Sequence, residues 1–152
     1  MRMMAIDYGT RAIGVAVADE LGITVRPLTT IRCGRMSHRQ VFECIAQLVA
    51  ENEISTLVVG LPLRADGTRG AAAMRVEKFI GNLQSQLSIP VVTCNEFLSS
   101  READEILRAN GADFKTRRAR SDEYAATVIL RDYLDAQAVS SGSDSSAGFP
   151  QD

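Results

Sequence analysis

The chain has 152 residues, 45% hydrophobic and 24% charged, with a formal net charge of −2. Those values fit one globular domain with room for a sizeable core, and they exclude a strongly basic nucleic-acid coat. No apolar run approaches the ~20 residues of a membrane span. The sequence reaches Asp7 and a turn before a signal-peptide h-region can form. Cys33, Cys44 and Cys94 are far apart and form no CxxC pair, which argues against a disulfide framework or a zinc knuckle. A reducing cytoplasm is the expected setting.

In chain order, Met3–Ile6 and Ile13–Ala18 form apolar runs of strand length. Thr24–Cys33 forms a third strand, and Pro27 near its start assigns it to a sheet edge. Ser37 can cap a helix in which Val41, Cys44, Ile45, Leu48 and Val49 recur at helical spacing. "STLVVGLPL" predicts a short buried strand ending at Gly60. A loop with an Asp66-Gly67 turn follows, then a helix with Thr68 as candidate N-cap. "IPVVTCNEF" is the fifth strand. Ser99 and Glu102 fit a capping box for a helix that stops at Gly111. After a basic loop, "SDEYAATVILRDYLDAQ" predicts the last helix. The expected organisation is a domain over residues 1–137 and a disordered Ser/Gly-rich tail over 138–152. The order βββαβαβαα predicts an α/β fold: a mixed five-stranded sheet, its first three strands antiparallel, with helices packed on it.

Of 17 basic residues only Lys78 and Lys115 are lysine; the rest are arginine, whose planar fork suits phosphate. They gather at Arg32/Arg35/Arg39, Arg64/Arg69 and Arg117/Arg118/Arg120. Solvated surface and local phosphate patches are both open readings of these clusters. Arg11, at the turn beside Asp7, and Thr68, whose neighbouring amides could face an anion, carry the same two readings. His38, the only histidine, is read as a surface residue and not as a general base.

Three acids stand where acids are costly. Asp7 interrupts the first apolar run, and a carboxylate withdrawn from water needs compensation. Ala125, Ala126, Ile129 and Tyr133 fall within about 60° of Asp122 at helical spacing, so Asp122 lies along the buried face. Glu123 fits better as a solvated acid at a helix start. Glu96 ends the fifth strand on the face of Val92 and Cys94. Ionised together, three such carboxylates repel one another. A hard divalent cation, Mg²⁺ or Mn²⁺, resolves that repulsion and suits metal-assisted phosphodiester hydrolysis.

The same residues carry a resemblance. "IDYGTRAIGVAVAD", "VVGLPLRADGT" and "SDEYAATVIL", in this order, resemble the motifs of the YqgF-type pre-16S rRNA nucleases, which are also described as Holliday-junction-resolvase-like. The match runs from about Met3 to Leu134. It implies a ribonuclease H-like fold and Asp7, Glu96 and Asp122 as the catalytic, metal-binding acids. It also implies nucleic acid beside "LPLRADGT" and the basic loop, with Arg64, Thr68, Arg117, Arg118 and Arg120 as contacts; Arg11 is added as a candidate contact from its place beside Asp7. One departure is visible: the family shows Asp-Glu-Arg where this chain reads Asn95-Glu96-Phe97.

The expected function is therefore a divalent-metal-dependent nuclease that processes the 5′ end of a ribosomal RNA precursor, as a monomer or weak homodimer with no membrane partner. A resolvase of branched DNA is the first alternative. A catalytically weak RNA-binding module, motivated by Asn95 and Phe97, is the second. The Asp-x-Gly-Thr opening also occurs in actin-like ATPases, but those need two such domains and this chain has the length of one.

Overall fold

The computed structural model describes residues 2–64, 66–96 and 122–138. The predicted helix capped at Ser99 and stopping at Gly111, the basic loop with Arg117, Arg118 and Arg120, Phe97 and residues 139–152 lie outside the described residues.

Among the described residues up to Glu96, five strands and two helices follow one another as β1 (Arg2–Asp7), β2 (Ala12–Ala18), β3 (Val25–Arg32), α1 (His38–Glu51), β4 (Ile54–Pro62), α2 (Ala71–Gln86) and β5 (Val91–Glu96). Residues 122–138 form a third helix, α3, which runs through Ala138, one residue into the segment expected to be tail. The strands make one sheet in the order β3-β2-β1-β4-β5. β1, β2 and β3 pair antiparallel, whereas β4 and β5 join β1 in parallel. This is the mixed sheet that the order of apolar runs and helical periods implies.

β3 is the edge strand that Pro27 requires. The pairing with β2 shifts register between Val15 and Ala16, where Ala16 faces Pro27. A residue without an N–H is accommodated at such an irregularity. Ser37 caps α1 as expected: its hydroxyl accepts from the Gln40 N–H at 3.1 Å, and the Gln40 side chain accepts from the Ser37 N–H at 2.8 Å. Two boundaries differ from expectation for reasons visible in the hydrogen bonding. β4 continues past Gly60 to Pro62, because Leu61 and Pro62 still pair with Asn95 and Glu96 of β5. α2 begins after Gly70 and not at Thr68, whose hydroxyl and N–H are taken by Asp66.

Side-chain alternation gives the sheet two unlike faces. Met4, Ile6, Ile13, Val15, Leu57, Val59 and Leu61 meet α1 and α2 through Val41, Ile45, Val76, Phe79 and Leu83. The opposite face carries Ala5, Ala18 and Val58, which pack on Ile129 and Leu130 of α3. Small residues there admit a close helix. A Cβ added at Gly14 would land on the Asp122 carbonyl, and one at Gly60 would strike the Ile129 side chain. Arg131 Nη1 donates to the Ile23 carbonyl at 3.2 Å and fastens α3 to the β2–β3 turn.

Two alanine substitutions separate this contact from ordinary glycine effects. Gly14→Ala should destabilise the protein by about 3 kcal/mol or more, because neither backbone can yield without moving α3. Gly81→Ala, inside α2 with open space around it, should stabilise by about 0.5–1 kcal/mol. Urea unfolding of the two variants reads both signs; equal and small effects would remove the backbone contact from the account.

Candidate metal and nucleic-acid site

Asp7 is the last residue of β1 and pairs directly with Gly14 of β2. Its position places it on the α3 face, in alternation with Ala5, while Ile6 points to the other core. Gly14 is also the residue on which the backbone of Asp122 and Glu123 rests. The two aspartates therefore approach the same glycine, one along the sheet and one from above. The fold needs this glycine so that α3 can descend to the level of the β1 terminus.

Asp122 is half-buried. Burial pushes its carboxyl above the ordinary value, Arg32 opposes that shift, and Glu123 adds to it. Arg32 ends β3 and pairs with Ala12. Glu123 accepts a hydrogen bond from the Thr30 hydroxyl at 3.1 Å, so it is tied to β3 and is not merely a solvated acid at the helix start. Asp122 is thus a carboxyl whose charged form is disfavoured by its surroundings, with one arginine offsetting part of the cost.

Glu96, at the carboxyl end of β5, is only 7% exposed. It shares the α3 face with Cys94, whose thiol donates to Glu96 Oε1 at 3.4 Å. Burial and then the neighbouring Glu96 charge push the Cys94 thiol up to about 12, so at neutral pH it is an uncharged partner. The Glu96 carbonyl accepts from the Leu63 N–H at 2.9 Å, which extends the β4–β5 ladder beyond Pro62. β4 separates β5 from β1, so Glu96 stands one strand removed from Asp7 on the same face.

The structure therefore gathers Asp7 and Asp122 around Gly14 and sets Glu96 farther along the same face. Among the described residues no three histidine, cysteine or acidic side chains stand close enough together to hold a metal ion. The chemistry of the donor set nonetheless fits one: all three donors are hard carboxylate oxygens, and Asp122 sits where added positive charge is favourable.

Arg11 is exposed in the β1–β2 turn, and its carbonyl accepts from the Cys33 N–H at 2.9 Å. Arg64 is exposed and lies against Gly70, where an added Cβ would stand 2.9 Å from its Nε. Thr68 accepts no helix amide. Its N–H and hydroxyl both donate to Asp66 Oδ1, at 2.9 and 2.6 Å, and Gly67 between them has φ +85°. That is an Asx-type turn, in which a glycine readily takes the left-handed conformation. The Thr68 carbonyl accepts from the Arg64 N–H at 3.0 Å. Arg69 pairs with Glu77 at 2.8 Å. The residue that motif reading missed is Arg32 as neighbour of Asp122. The alternation of β3, with Ile31 in the α1/α2 core, carries that signal.

Comparison with known proteins gives concordant relatives. A family profile described as RuvX, Holliday junction resolvase, matches residues 1–136. A protein of Syntrophus aciditrophicus named as a candidate pre-16S rRNA nuclease is 43% identical over 136 residues, covering 90% of this chain and 89% of its own. A protein of the same name from Halalkalibacterium halodurans is 38% identical, covering 90% of this chain and 98% of its own. Among solved structures, the Thermus thermophilus RuvC in complex with a Holliday junction substrate superposes with a TM-score of 0.58 at 15% identity, over 91% of this chain and 96% of that one. The fowlpox virus resolvase bound to Holliday junction DNA gives 0.56 at 9% identity, over 90% and 99%. These likenesses assign the ribonuclease H-like fold.

The Asp66 turn makes a separate test. Hydrogen bonds from Thr68 hold the Asp66 carboxyl below its ordinary 3.8, so the turn is supported above that pH and loses support as pH falls through the folded value. Asp66→Ala should expose Arg64 and Arg69 to trypsin several-fold faster at pH 8 while the global melting temperature hardly moves. Unchanged cleavage would show that the turn is held by something other than Asp66.

Proposed function

Because the chain belongs to the RuvX family, described as Holliday junction resolvase, we propose that it is a divalent-metal-dependent nuclease. It hydrolyses phosphodiester bonds and acts on the 5′ end of a pre-16S ribosomal RNA. The observation that carries this reading is the pair Asp7 and Asp122 at one glycine, with Glu96 on the same sheet face, inside a segment fully spanned by the family match. The shared name of relatives at 38–43% identity supports RNA as the substrate.

In this reading Asp7, Asp122 and Glu96 would together hold the cation. When bound, Mg²⁺ or Mn²⁺ would supply neutralisation of charge on the scissile phosphate and activation of water. Arg32 limits the mutual repulsion of the acids, and the half-buried setting of Asp122 restricts solvent around them. Arg11, Arg64 and Thr68 flank the carboxyl ends of the strands as phosphate contacts; Arg117, Arg118 and Arg120, outside the described residues, are assigned the same role from the sequence. The domain extends to the end of α3 at Ala138. No helix among the described residues is long and apolar enough to cross a membrane, and the protein works as a cytoplasmic monomer or weak homodimer.

The family description favours a second substrate, the four-way DNA junction, whose resolution takes two symmetric cuts and hence a dimer. Cleavage of a labelled precursor-rRNA leader and of a four-way junction, with Mn²⁺, Mg²⁺ or EDTA, compares them. Wild type should cut the leader only with metal. Asp7→Asn should abolish cutting while its melting temperature stays within about 3 °C of wild type. Full activity in that variant would remove Asp7 from the metal site. Junction cleavage by a dimer, without leader cleavage, would transfer the activity to DNA. RNA retained without cleavage under any divalent ion would leave a binding module in which Asn95 and Phe97 have cost the activity.

A further inference from the structure

Asp7 faces α3, but the next residue, Tyr8, packs against the opposite core. There it enters a stack of rings. Tyr8 and Phe79 have centroids 4.2 Å apart at 27°, and Phe42 and Phe79 stand 5.7 Å apart at 20°. Phe79 is the buried middle of this stack. Tyr8 and Phe42 are only half-buried, and both line an open cavity of about 340 Å³ between α1, α2 and the turns after β1 and β3.

The rim of this cavity has one sign of charge. Arg75 and Lys78 reach it from the exposed side of α2 and His38 from the start of α1, and no acid lines it among the described residues. Neither Arg75 nor Lys78 forms an ion pair among the described residues, whereas nearby Arg69 and Arg39 are paired with Glu77 and Glu43. An aromatic floor with two unpaired cations above it is more than a core edge. Bases stack on exposed rings, and a phosphate on the same unit is drawn to the cations.

We propose that this cavity binds one unstacked nucleotide, its base against Tyr8 and Phe42 and its phosphate toward Arg75 and Lys78. The inference deepens the nuclease reading and rests on it for the origin of the nucleotide. With the acids on one face of the β1 terminus and the ring cavity on the other, a strand crossing that terminus is held on both sides. A free mononucleotide has the same chemistry, and the ligands tested separate the two sources.

The test measures ring resonances of Tyr8, Phe42 and Phe79 by NMR in the full chain. The ligands are AMP, ribose 5-phosphate and a short single-stranded oligoribonucleotide, and Asp7→Asn protein keeps the oligonucleotide uncut. AMP should shift all three rings, and ribose 5-phosphate should bind at least about tenfold more weakly, the contribution of one stacked base. Tighter binding of the oligonucleotide than of AMP assigns the cavity to a strand; equal or weaker binding assigns it to a free nucleotide. Arg75→Ala with Lys78→Ala, both on exposed positions that leave the core untouched, should weaken AMP by about tenfold. Absence of ring shifts at millimolar ligand, or equal shifts with ribose 5-phosphate, overturns the cavity while wild-type cleavage keeps the nuclease reading. Ring shifts in a protein whose wild type never cleaves overturn the nuclease reading and leave the cavity standing.

Discussion

The seat of α3 on Gly14 governs the candidate site. Side chains normally hold the backbone of a helix away from the backbone it packs on, as in helix pairs whose axes stand about 8–10 Å apart. Here one position on β2 has no side chain, and the carbonyl of Asp122 occupies the space. Ala5, Ala18 and the Gly60 notch for Ile129 continue that low relief toward the middle of the sheet. The close approach brings the Asp122 carboxyl near Arg32 and sets the Asp122 backbone over the glycine with which Asp7 pairs. The charge that burial disfavours at Asp122 is therefore a consequence of packing, since the helix cannot come this near without taking its acid out of water.

The two faces of the sheet divide the work of stability and chemistry. Large aliphatic and aromatic side chains fill the α1/α2 side and supply most of the core, while the α3 side trades volume for proximity. The carboxyl ends of β1, β4 and β5 lie in parallel at one end of the sheet. Such ends collect functional residues because the regular strands hold side chains rigidly and the loops leave room for a ligand. The antiparallel β1–β2 turn adds Arg11 and Tyr8 to that same end.

Much of this was legible in the residues. Apolar runs and helical spacing marked all five strands and the helices at 38–51, 71–86 and 122–138, and Pro27 marked the edge. The helical stripe below Asp122 was enough to turn its side chain inward. What sequence could not supply were effects of distance. Thr68 looked like a helix cap because its type fits, but the nearer Asp66 carboxylate takes both of its donors and moves the start of α2 to Gly70. Gly60 looked like a strand end because glycine often breaks strands, whereas here it stays in the ladder and makes room for Ile129. Arg32 appeared as one more arginine in a cluster, since only the sheet brings β3 under α3. The separation of Glu96 from the two aspartates depends on β4 lying between them, a matter of strand order that no local pattern encodes.

The alternation at the end of β1 has a consequence for how this segment can vary. Asp7 and Tyr8 are consecutive, and the sheet sends them to opposite layers. Inserting or deleting one residue within β1 would turn the strand over, driving a carboxylate toward the rings of Phe79 and Phe42 and a phenol toward Asp122. A two-residue change would restore the faces but slide the acid by about 7 Å along the strand, away from Gly14. Length in this strand is consequently fixed by both layers at once. Change in the family's chains can accumulate in the connections beyond the sheet far more readily than in the six residues of β1 that end at the aspartate.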